Sequence, residues 1–468
     1  MSPPVSRARA VRGDDHDVVI VGARCAGATL GTLLARRGVR VAVLDRATAI
    51  GGTLSSNILQ ADSLAFLGRL GVLEALRAAG ARPMSHVDLR LEDFRCEVPF
   101  PRAPGDVGGA ACIRREVLDP VLVDAARASG ADVRLGTRVT GLVRDGGRIA
   151  GVRAVSGGTE TVIRARLVVG ADGRSSRVAG AAGARMYHVC PGERSYYWTY
   201  FEGADLGERP TFVFHRWGDR HMLGGPADSG LYIVGVSPQR HERESFRVGL
   251  EGSVHAHALR CAPIAKALAG ATRVGRIYGI RSFSGYFREA AGAGWVLLGD
   301  AGHFKDPAGG RGIGDAFHQA ERLAPAVAAA LAGGGDGAGL DRATAGFGRW
   351  RDRTYAEYYG LASDLGVAGP IAGVVPRVVR GLHADGRVDG VLDLLSHRAS
   401  VREVITPARV LGATARAPRG QRSTALRELT QLATTELRRR RAMRTPVHPS
   451  GPEPGPTPQQ SFEPEPTP

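Results

Sequence analysis

The sequence of 468 residues contains few cysteines, almost no lysine and no long apolar run. Its five cysteines lie far apart and form no C-x-x-C pair, which argues against a disulfide framework and against a zinc site. No apolar stretch approaches the roughly 18 residues that a membrane-spanning helix needs. The arginines near the start are not followed by the apolar segment of an export signal. We therefore expect a soluble, cytoplasmic protein without a metal.

The net charge of +16 comes almost entirely from arginine, because Lys266 and Lys305 are the only lysines. This imbalance is typical of a GC-rich coding sequence rather than of a surface selected to follow phosphates. The basic run at residues 438–441 precedes a proline-rich segment, and such a run is usually solvated. We therefore expect no nucleic-acid partner.

A continuous β-branched run at residues 17–22 predicts a strand that is buried on both faces of a parallel sheet. A helical pattern follows over residues 26–37, and a second buried strand is predicted over residues 39–44. A dinucleotide site needs a glycine turn after the first strand, with the helix N-terminus facing the pyrophosphate. It also needs an acid after the second strand for the ribose, so this order predicts a dinucleotide-binding βαβ unit.

Gly22 and Gly27 occupy the outer glycine positions of the G-x-G-x-x-G turn, and Asp45 follows Gly22 by 23 residues. The middle glycine is replaced by Arg24. We expect the Arg24 side chain to place a cation beside the pyrophosphate, which compensates for the lost close approach of the backbone.

Two later predicted strands follow the same pattern, because each is followed by a carboxylate and then by a polar or glycine-rich loop. The strand at residues 167–170 leads into Asp172 and Gly173, and the strand at residues 295–298 leads into Asp300. A glycine-rich loop up to residue 314 follows Asp300, and a helix is predicted from about residue 315. Such a loop lets the backbone approach a flat ligand, and the helix N-terminus can stabilise negative charge on it. Three such loops indicate one shared ligand.

The fold class predicted from this pattern is α/β, with a Rossmann-like domain interleaved with an antiparallel β-sheet substrate domain and followed by C-terminal helices. Residues 15–85, 110–185 and 276–335 are assigned to the first domain, and residues 86–109 and 186–275 to the second. Residues 336–440 are predicted to be helical. Residues 1–14 and the proline-rich residues 441–468 are predicted to be disordered.

The three motifs, in this order, resemble those of the flavoprotein family that contains single-component aromatic hydroxylases and geranylgeranyl-reductase-like enzymes. The resemblance covers roughly residues 15–335 and implies non-covalently bound FAD. It implies that Asp45 binds the ribose, that Asp300 holds the ribityl chain and that the loop at residues 307–314 lies against the isoalloxazine. The cofactor contacts that it implies are Gly22, Arg24, Gly27, Asp45, Arg46, Arg115, Asp172, Gly173, Asp300, Pro307, Gly310, Gly312 and Ile313.

The most aromatic part of the chain, residues 195–237, is predicted to form strands that wall a substrate pocket above the flavin. The candidate pocket residues are Tyr197, Trp198, Tyr200, His215 and Trp217. Asn57 lies where relatives approach the isoalloxazine. His303 either contacts flavin or substrate or is a structural histidine. No catalytic acid or base is assigned, because in such enzymes the cofactor performs the difficult step.

The resemblance favours a monooxygenase as the leading hypothesis. In that reaction NAD(P)H reduces FAD, O₂ forms a flavin C4a-hydroperoxide, and one oxygen atom hydroxylates or epoxidises a small aromatic or hydrophobic secondary metabolite. No second glycine-rich βαβ unit is evident, so a nicotinamide must bind transiently in a shared groove or come from a partner. The sequence does not indicate the substrate's identity or the oligomeric state.

Three alternatives are weighed against this hypothesis. A reductase or dehydrogenase that acts on a C=C bond is favoured by Gly314, where hydroxylases usually have asparagine. A flavin-free binding module is opposed by the intact carboxylates Asp45, Asp172 and Asp300. Halogenation is not indicated, because flavin halogenases need a lysine early in the chain and a W-x-W-x-I-P segment, and this sequence has neither.

Overall fold

The computed structural model describes residues 15–53, 55, 57–280, 283–334 and 337–444. The strands are β1 (Asp15–Val21), β2 (Val41–Leu44), β3 (Ile58–Gln60), β4 (His86–Leu91), β5 (Phe94–Pro99), β6 (Ala110–Cys112), β7 (Asp132–Arg134), β8 (Arg138–Asp145), β9 (Arg148–Ser156), β10 (Thr159–Gly170), β11 (Met186–Pro191), β12 (Tyr196–Glu202), β13 (Thr211–Trp217), β14 (Arg220–Pro226), β15 (Tyr232–Ser237), β16 (Thr272–Ile280), β17 (Ser284–Arg288), β18 (Ala291–Gly292), β19 (Trp295–Leu297) and β20 (His303–Phe304).

The helices alternate with the first strands and then dominate the C-terminal part. They are α1 (Cys25–Ala35), α2 (Ala61–Leu70), α3 (Leu73–Ala78), α4 (Arg115–Ala128), α5 (Arg177–Ala182), α6 (Arg243–Val248), α7 (Leu250–Ala258), α8 (Ala262–Ala267), α9 (Gly312–Ala332), α10 (Gly337–Gly366), α11 (Val374–Ala384), α12 (Asp389–Leu395), α13 (Val401–Val404), α14 (Pro407–Ala415) and α15 (Arg422–Arg444). Among the described residues, no helix has both the length and the apolar character required to cross a membrane.

An eight-stranded sheet in the order β18-β19-β10-β1-β2-β7, with β8 and β9 joined at β10, contains the βαβ unit that the sequence predicts to bind a dinucleotide. The part of the molecule built on this sheet is called the nucleotide-binding half below. Strands β19, β10, β1 and β2 are parallel. Val21 at the end of β1 pairs with Gly170 of β10, and Gly170 pairs with Leu297 of β19. The ends of the three strands that precede the sequence motifs therefore lie side by side, as the sequence predicts.

A seven-stranded sheet in the order β16-β12-β15-β14-β13-β4-β5 forms the second half. Its strands pair antiparallel except β13 and β4, which are parallel. The prediction of a fully antiparallel sheet is therefore wrong at this pair. One face packs against α6, α7 and α8 through residues such as Phe246, Val254 and Ile264. The other face, which carries Trp198, Phe212 and Ile233, is turned toward the nucleotide-binding half. The α/β fold class and its interleaved sheets agree with the prediction.

Two boundaries differ from the sequence-based expectation. The glycine-rich loop ends at Arg311, because α9 begins at Gly312 rather than near residue 315. Ile313 is buried in the core beneath α1, and this packing overrides the weak helix propensity of the flanking glycines. At the other end, α15 continues to Arg444, so the tail boundary predicted at residue 441 lies inside a helix. The predicted disorder of residues 1–14 and 445–468 concerns segments outside the described residues.

The C-terminal helices are fastened to both halves. Helix α10 packs beside α9, and the buried side chains of Arg194 and Arg216 donate hydrogen bonds to the carbonyls of Val367 and Gly369, just after α10 ends. Carbonyls at and just after a helix end lack intrahelical partners, and these two arginine side chains supply hydrogen bonds to them. The end of α10 is thereby held against the seven-stranded sheet.

Candidate active site

The turn between β1 and α1 can be built only with glycine at its two outer positions. Gly22 has φ +105°, and a Cβ there would lie 2.4 Å from the carbonyl oxygen of Ala171. A Cβ on Gly27 would lie 1.8 Å from the carbonyl oxygen of Gly22. The tight turn lets α1 begin directly behind the tip of β1, where its first N–H groups can bind an anion such as a pyrophosphate.

Arg24, which replaces the middle glycine, is bound to protein groups as well as facing the cavity. One of its terminal nitrogens, Nη1, donates to the carbonyl of Gly51 at 2.7 Å and to Oδ2 of Asp119 at 3.2 Å. Arg115 also binds the buried Asp119 carboxylate, with Nε 2.9 Å from Oδ1. Two guanidinium groups therefore share one carboxylate, and the cluster keeps a net positive charge at the start of α1.

Asp45 and Asp172 both use their carboxylates to hold backbone. Asp45 accepts hydrogen bonds from the amides of Ala23 and Ala47, each at 2.9 Å, and so couples the tips of β1 and β2. Asp172 accepts from the amide of Arg177 at 2.7 Å, at the start of α5. Both residues line the cavity. Each therefore lies where the sequence predicts a ligand contact and also supports the backbone around that position.

Asp300 lies at the tip of β19, opposite the start of α1. Burial raises the pKa of the Asp300 carboxyl to about 6, even though the charges of Arg174 and Arg115 oppose this shift. A buried carboxylate is costly unless a ligand or a cation pairs with it. Hydroxyl groups of a polyol would supply such hydrogen bonds, which fits the ribityl role that the resemblance implies for Asp300.

The raised pKa of Asp300 leads to a prediction for Asp300→Asn in the FAD-free protein. Because the folded pKa exceeds the unfolded value, the stability contribution of Asp300 is present at low pH and is lost as the pH rises through about 6. Because asparagine cannot ionise, the Asp300→Asn variant does not lose this contribution to the unfolding free energy as the pH rises. We expect the variant's advantage in unfolding free energy to grow by about 1 kcal/mol between pH 5 and pH 8. Urea unfolding at the two pH values measures it, and a pH-independent difference would contradict the assignment.

Ion pairs made by buried side chains hold the loop between β20 and α9 in place. The Lys305 ammonium donates to the Asp315 carboxylate, and both side chains are buried. Arg311 binds Asp62 of α2 through two hydrogen bonds of 2.6 and 2.9 Å. His397, from the connection after α12, lies 3.4 Å from both Lys305 Nζ and Asp315 Oδ1. The C-terminal helical region therefore contacts the loop that is predicted to lie against the isoalloxazine.

One continuous cavity of about 530 Å³ joins these elements, within the range of roughly 300–1,000 Å³ that is usual for ligand pockets. Among the residues that line it are Gly22, Arg24, Asp45, Arg46, Arg115, Asp172, Gly173, Asp300, Pro307, Gly310, Gly312 and Ile313. Gly27 lies behind them in α1. The structure thus brings the residues implied for the cofactor to a single cleft, which runs from the tips of β1 and β2 to the seven-stranded sheet.

The far end of the cavity is a chamber that is walled mainly by apolar and aromatic side chains. Its residues from the sheet include Tyr196, Trp198, Phe212, Phe214, His221, Leu223 and Ile233. Leu395, at the end of α12, also lines the cavity. The C-terminal region therefore supplies part of the wall in addition to holding the loop.

Only some of the predicted pocket residues lie on this wall. Trp198 does, whereas Tyr197, although it borders the cavity, stacks its ring on Phe246 at 5.1 Å on the helix-covered face. His215 stacks on Trp217 at 4.3 Å, and the two residues share the face of β13 that carries Val213. Assigning His215 and Trp217 to the pocket wall was therefore wrong. Successive residues of a strand point to opposite faces, and Phe212 and Phe214 take their place.

Asn57, Tyr200 and His303 are the other candidate residues, and each contacts another buried side chain. The Asn57 side chain donates a hydrogen bond to the Tyr200 hydroxyl, while its neighbours Ser55 and Ile58 line the cavity. The structure thus places the Asn57 amide against the sheet, and its contact with the isoalloxazine stays a prediction. His303 lines the cavity and packs against Phe287, with ring centroids 4.4 Å apart. Burial lowers the His303 pKa well below its usual value, so this imidazole is neutral.

Several buried polar residues that organise the site were not predicted from the sequence, notably Asp119, Asp306, Asp315 and His221. Asp306 follows Lys305 directly and accepts a hydrogen bond from the Tyr196 hydroxyl at 3.1 Å. A carboxylate inside a glycine-rich loop was a signal for Asp306. The other three gave none. Asp119 lies on one turn of an ordinary helix with Arg115, Asp315 meets Lys305 and Arg311 only once the loop and the start of α9 are folded, and His221 lies on a strand among aromatic residues.

A parallel sheet with this glycine turn, and a cleft that leads from it to an apolar chamber, define a dinucleotide-binding enzyme whose cofactor extends toward the substrate. Three features of the cleft fit FAD: the glycine turn, the net positive cluster at the start of α1 and the carboxyl of Asp300, which lines the cavity. The chain belongs to the FAD binding domain family, whose model matches residues 15–347. It is an FAD-dependent oxidoreductase.

Curated relatives from two reaction classes are similar to this chain. The 6-methylpretetramide 4-monooxygenase of Streptomyces rimosus is 28% identical over 332 residues, which cover 68% of this chain and 77% of that protein. A digeranylgeranylglycerophospholipid reductase of Methanocella arvoryzae is 24% identical over 316 residues, covering 64% of this chain and 74% of the reductase. The matches thus include both a monooxygenase and a reductase, the two reaction classes that the sequence left open.

Among solved structures, a triple mutant of the flavin-dependent brominase Bmp2 matches with a TM-score of 0.67 and 19% identity. The match covers 86% of this chain and all of that chain. At this level of identity the similarity shows the fold alone.

Proposed function

We propose that this chain is a monooxygenase that uses FAD, NAD(P)H and O₂ to hydroxylate or epoxidise a planar aromatic molecule of the aromatic polyketide type. The observation that carries the proposal is the continuous cleft, which leads from the dinucleotide turn to an aromatic chamber. The similarity to a monooxygenase that is named for the polyketide 6-methylpretetramide supports the same reaction and substrate class.

The chain's own residues bind, orient and exclude water. The start of α1, with the Arg24–Asp119–Arg115 cluster, attracts the pyrophosphate, and Asp45 accepts hydrogen bonds from the ribose. The chamber wall of Trp198, Phe212 and Phe214 holds a flat substrate and excludes water from the reacting groups. When bound, reduced FAD would activate O₂, so that one of its oxygen atoms enters the substrate and the other leaves as water. The chamber wall would determine which ring position of the substrate faces the cofactor.

The nicotinamide is proposed to bind only transiently. Among the described residues, the parallel nucleotide-binding strands form one sheet, in which the β1–α1 turn has the glycine pattern of a dinucleotide site. Arg46, Arg138 and Arg177 line the outer part of the cleft, where cations favour the phosphates of an incoming nucleotide.

A C=C reductase or dehydrogenase is the second candidate, and the similarity to geranylgeranyl reductases favours it. Turnover with 6-methylpretetramide separates the two candidates. With NAD(P)H and ¹⁸O₂, a monooxygenase gives a product that contains one ¹⁸O atom and gives no product under anaerobic conditions. Reduction of the probe without O₂, and without label, would favour the reductase instead.

A further inference from the structure

One corner of the chamber is polar although the surrounding wall is apolar. Tyr196 of β12, His221 of β14 and Asp306 of the loop all line the cavity there. The Tyr196 hydroxyl donates to Asp306 Oδ1 at 3.1 Å, and the rings of Tyr196 and His221 lie edge to face with centroids 6.0 Å apart. A polar corner in an apolar pocket is the usual means of fixing a ligand's orientation.

Two of these groups have hydrogen-bonding capacity that the protein leaves unused. His221 is 4% exposed, and its Nε2 atom has no hydrogen-bond partner among the described residues. A buried polar atom without a partner is costly and needs an explanation, such as a bound ligand. Tyr196 gives its proton to Asp306, so the phenolic oxygen can only accept a further hydrogen bond.

The surroundings of Asp306 keep this arrangement in place. Asp306 Oδ1 also accepts from the amide of Ala308 at 2.9 Å, and the positive charges of Arg194, just before β12, and Arg216 of β13 act on the carboxyl. Burial raises the Asp306 pKa to about 6, so the carboxylate form, which accepts the Tyr196 proton, predominates at pH 7.5. Burial likewise lowers the His221 pKa well below its usual value, so its ring is neutral.

We infer that Tyr196 and His221 form a subsite for a hydroxyl group on the aromatic substrate, with Asp306 as the positioning residue that fixes the Tyr196 hydroxyl. The substrate O–H donates to the Tyr196 oxygen, and its oxygen contacts His221 Nε2. A ketone or an ether cannot donate to Tyr196, so the corner selects phenols or enols. This inference rests on the proposed substrate class but not on the reaction that follows.

The experiment compares 2-naphthol with 2-methoxynaphthalene, which differ in the hydrogen-bond donor. Binding to the FAD-loaded, oxidised protein at pH 7.5 is measured from perturbation of the flavin absorbance. The wild type is expected to prefer 2-naphthol by about tenfold, the value of one buried hydrogen bond of roughly 1.4 kcal/mol. In Tyr196→Phe the preference should fall to about one. Asp306→Asn should reduce the preference for 2-naphthol only in part. The asparagine amide can donate to the Tyr196 oxygen as well as accept from it, so the direction of the Tyr196 hydroxyl is no longer fixed.

Tyr232→Phe is the matched control, because Tyr232 is buried in the same sheet but on the helix-covered face. It should keep the wild-type preference. Equal affinities of the wild type for the two probes, failure of the wild type to bind either, or an unchanged preference in Tyr196→Phe would overturn the inference. No turnover or O₂ is involved, so failure of the monooxygenase proposal gives a different result: binding is selective, yet no labelled product forms.

Discussion

Replacing Gly27 with alanine is expected to weaken FAD binding by at least about 100-fold, or roughly 2.7 kcal/mol. The new Cβ would lie 1.8 Å from the Gly22 carbonyl oxygen, which is backbone and cannot move aside as a flexible side chain would. The turn must open, and the first N–H groups of α1 then move away from the pyrophosphate position. The purified variant should lack the flavin absorbance near 450 nm, and FAD titration measures the loss.

Gly252→Ala is the control for this change. Gly252 lies within α7, where an added Cβ has no atom within 4 Å, so its FAD affinity should match the wild type. Far-UV circular dichroism establishes that both variants are folded. A folded Gly27→Ala protein that keeps its FAD affinity would exclude the β1–α1 turn as the pyrophosphate site.

Replacing Asp315 with leucine should lower the unfolding free energy of the holoprotein by about 3–5 kcal/mol. The substitution leaves the buried Lys305 ammonium without its carboxylate partner and removes the negative charge beside Arg311 and His397. An unpaired buried cation costs far more than the net value of the pair. Urea unfolding measures the loss, and FAD content should fall with it because the loop at residues 307–311 loses its support.

The double variant Lys305→Met/Asp315→Leu separates the charge effect from packing. It replaces both partners with apolar groups, so it should recover most of the lost stability. Glu321→Ala, which breaks the exposed ion pair with Arg69, should cost no more than about 1 kcal/mol. If Asp315→Leu is no more damaging than Glu321→Ala, the buried cluster does not support the loop.

The nucleotide-binding half could be predicted from sequence because its signals are local. Residues 18–21 are buried without interruption, and the carboxylates that follow the strands mark their C-terminal ends. In a parallel sheet those ends share one edge, so three separate motifs could be brought together without knowing any side-chain contact. The adjacency of Val21, Gly170 and Leu297 confirms this reasoning.

The substrate chamber was predicted less well because its strands lack a polar face. In β13 aromatic residues occupy both faces, with Phe212 and Phe214 on one and His215 and Trp217 on the other. Alternation assigns residues to two faces but does not say which face is covered by helices. The choice depends on α6 to α8, which come later in the chain.

The buried charge network was beyond sequence reasoning for a different reason. Arg311 and Asp62 are separated by 249 residues and Arg24 and Asp119 by 95. No local pattern indicates that Arg311, Asp62 or Asp119 belongs to a buried or half-buried ion pair. His397 joins Lys305 and Asp315 from a helical region whose role the sequence left open. Such pairs are set by tertiary packing, which local patterns do not contain.

The most direct test is a crystal structure of the protein reconstituted with FAD. The account predicts electron density for one extended FAD molecule, with the ribose at Asp45, the pyrophosphate at the start of α1, the ribityl chain at Asp300 and the isoalloxazine against residues 307–310. FAD bound outside this cleft, or with its isoalloxazine directed away from the chamber of Trp198 and Phe212, would contradict it.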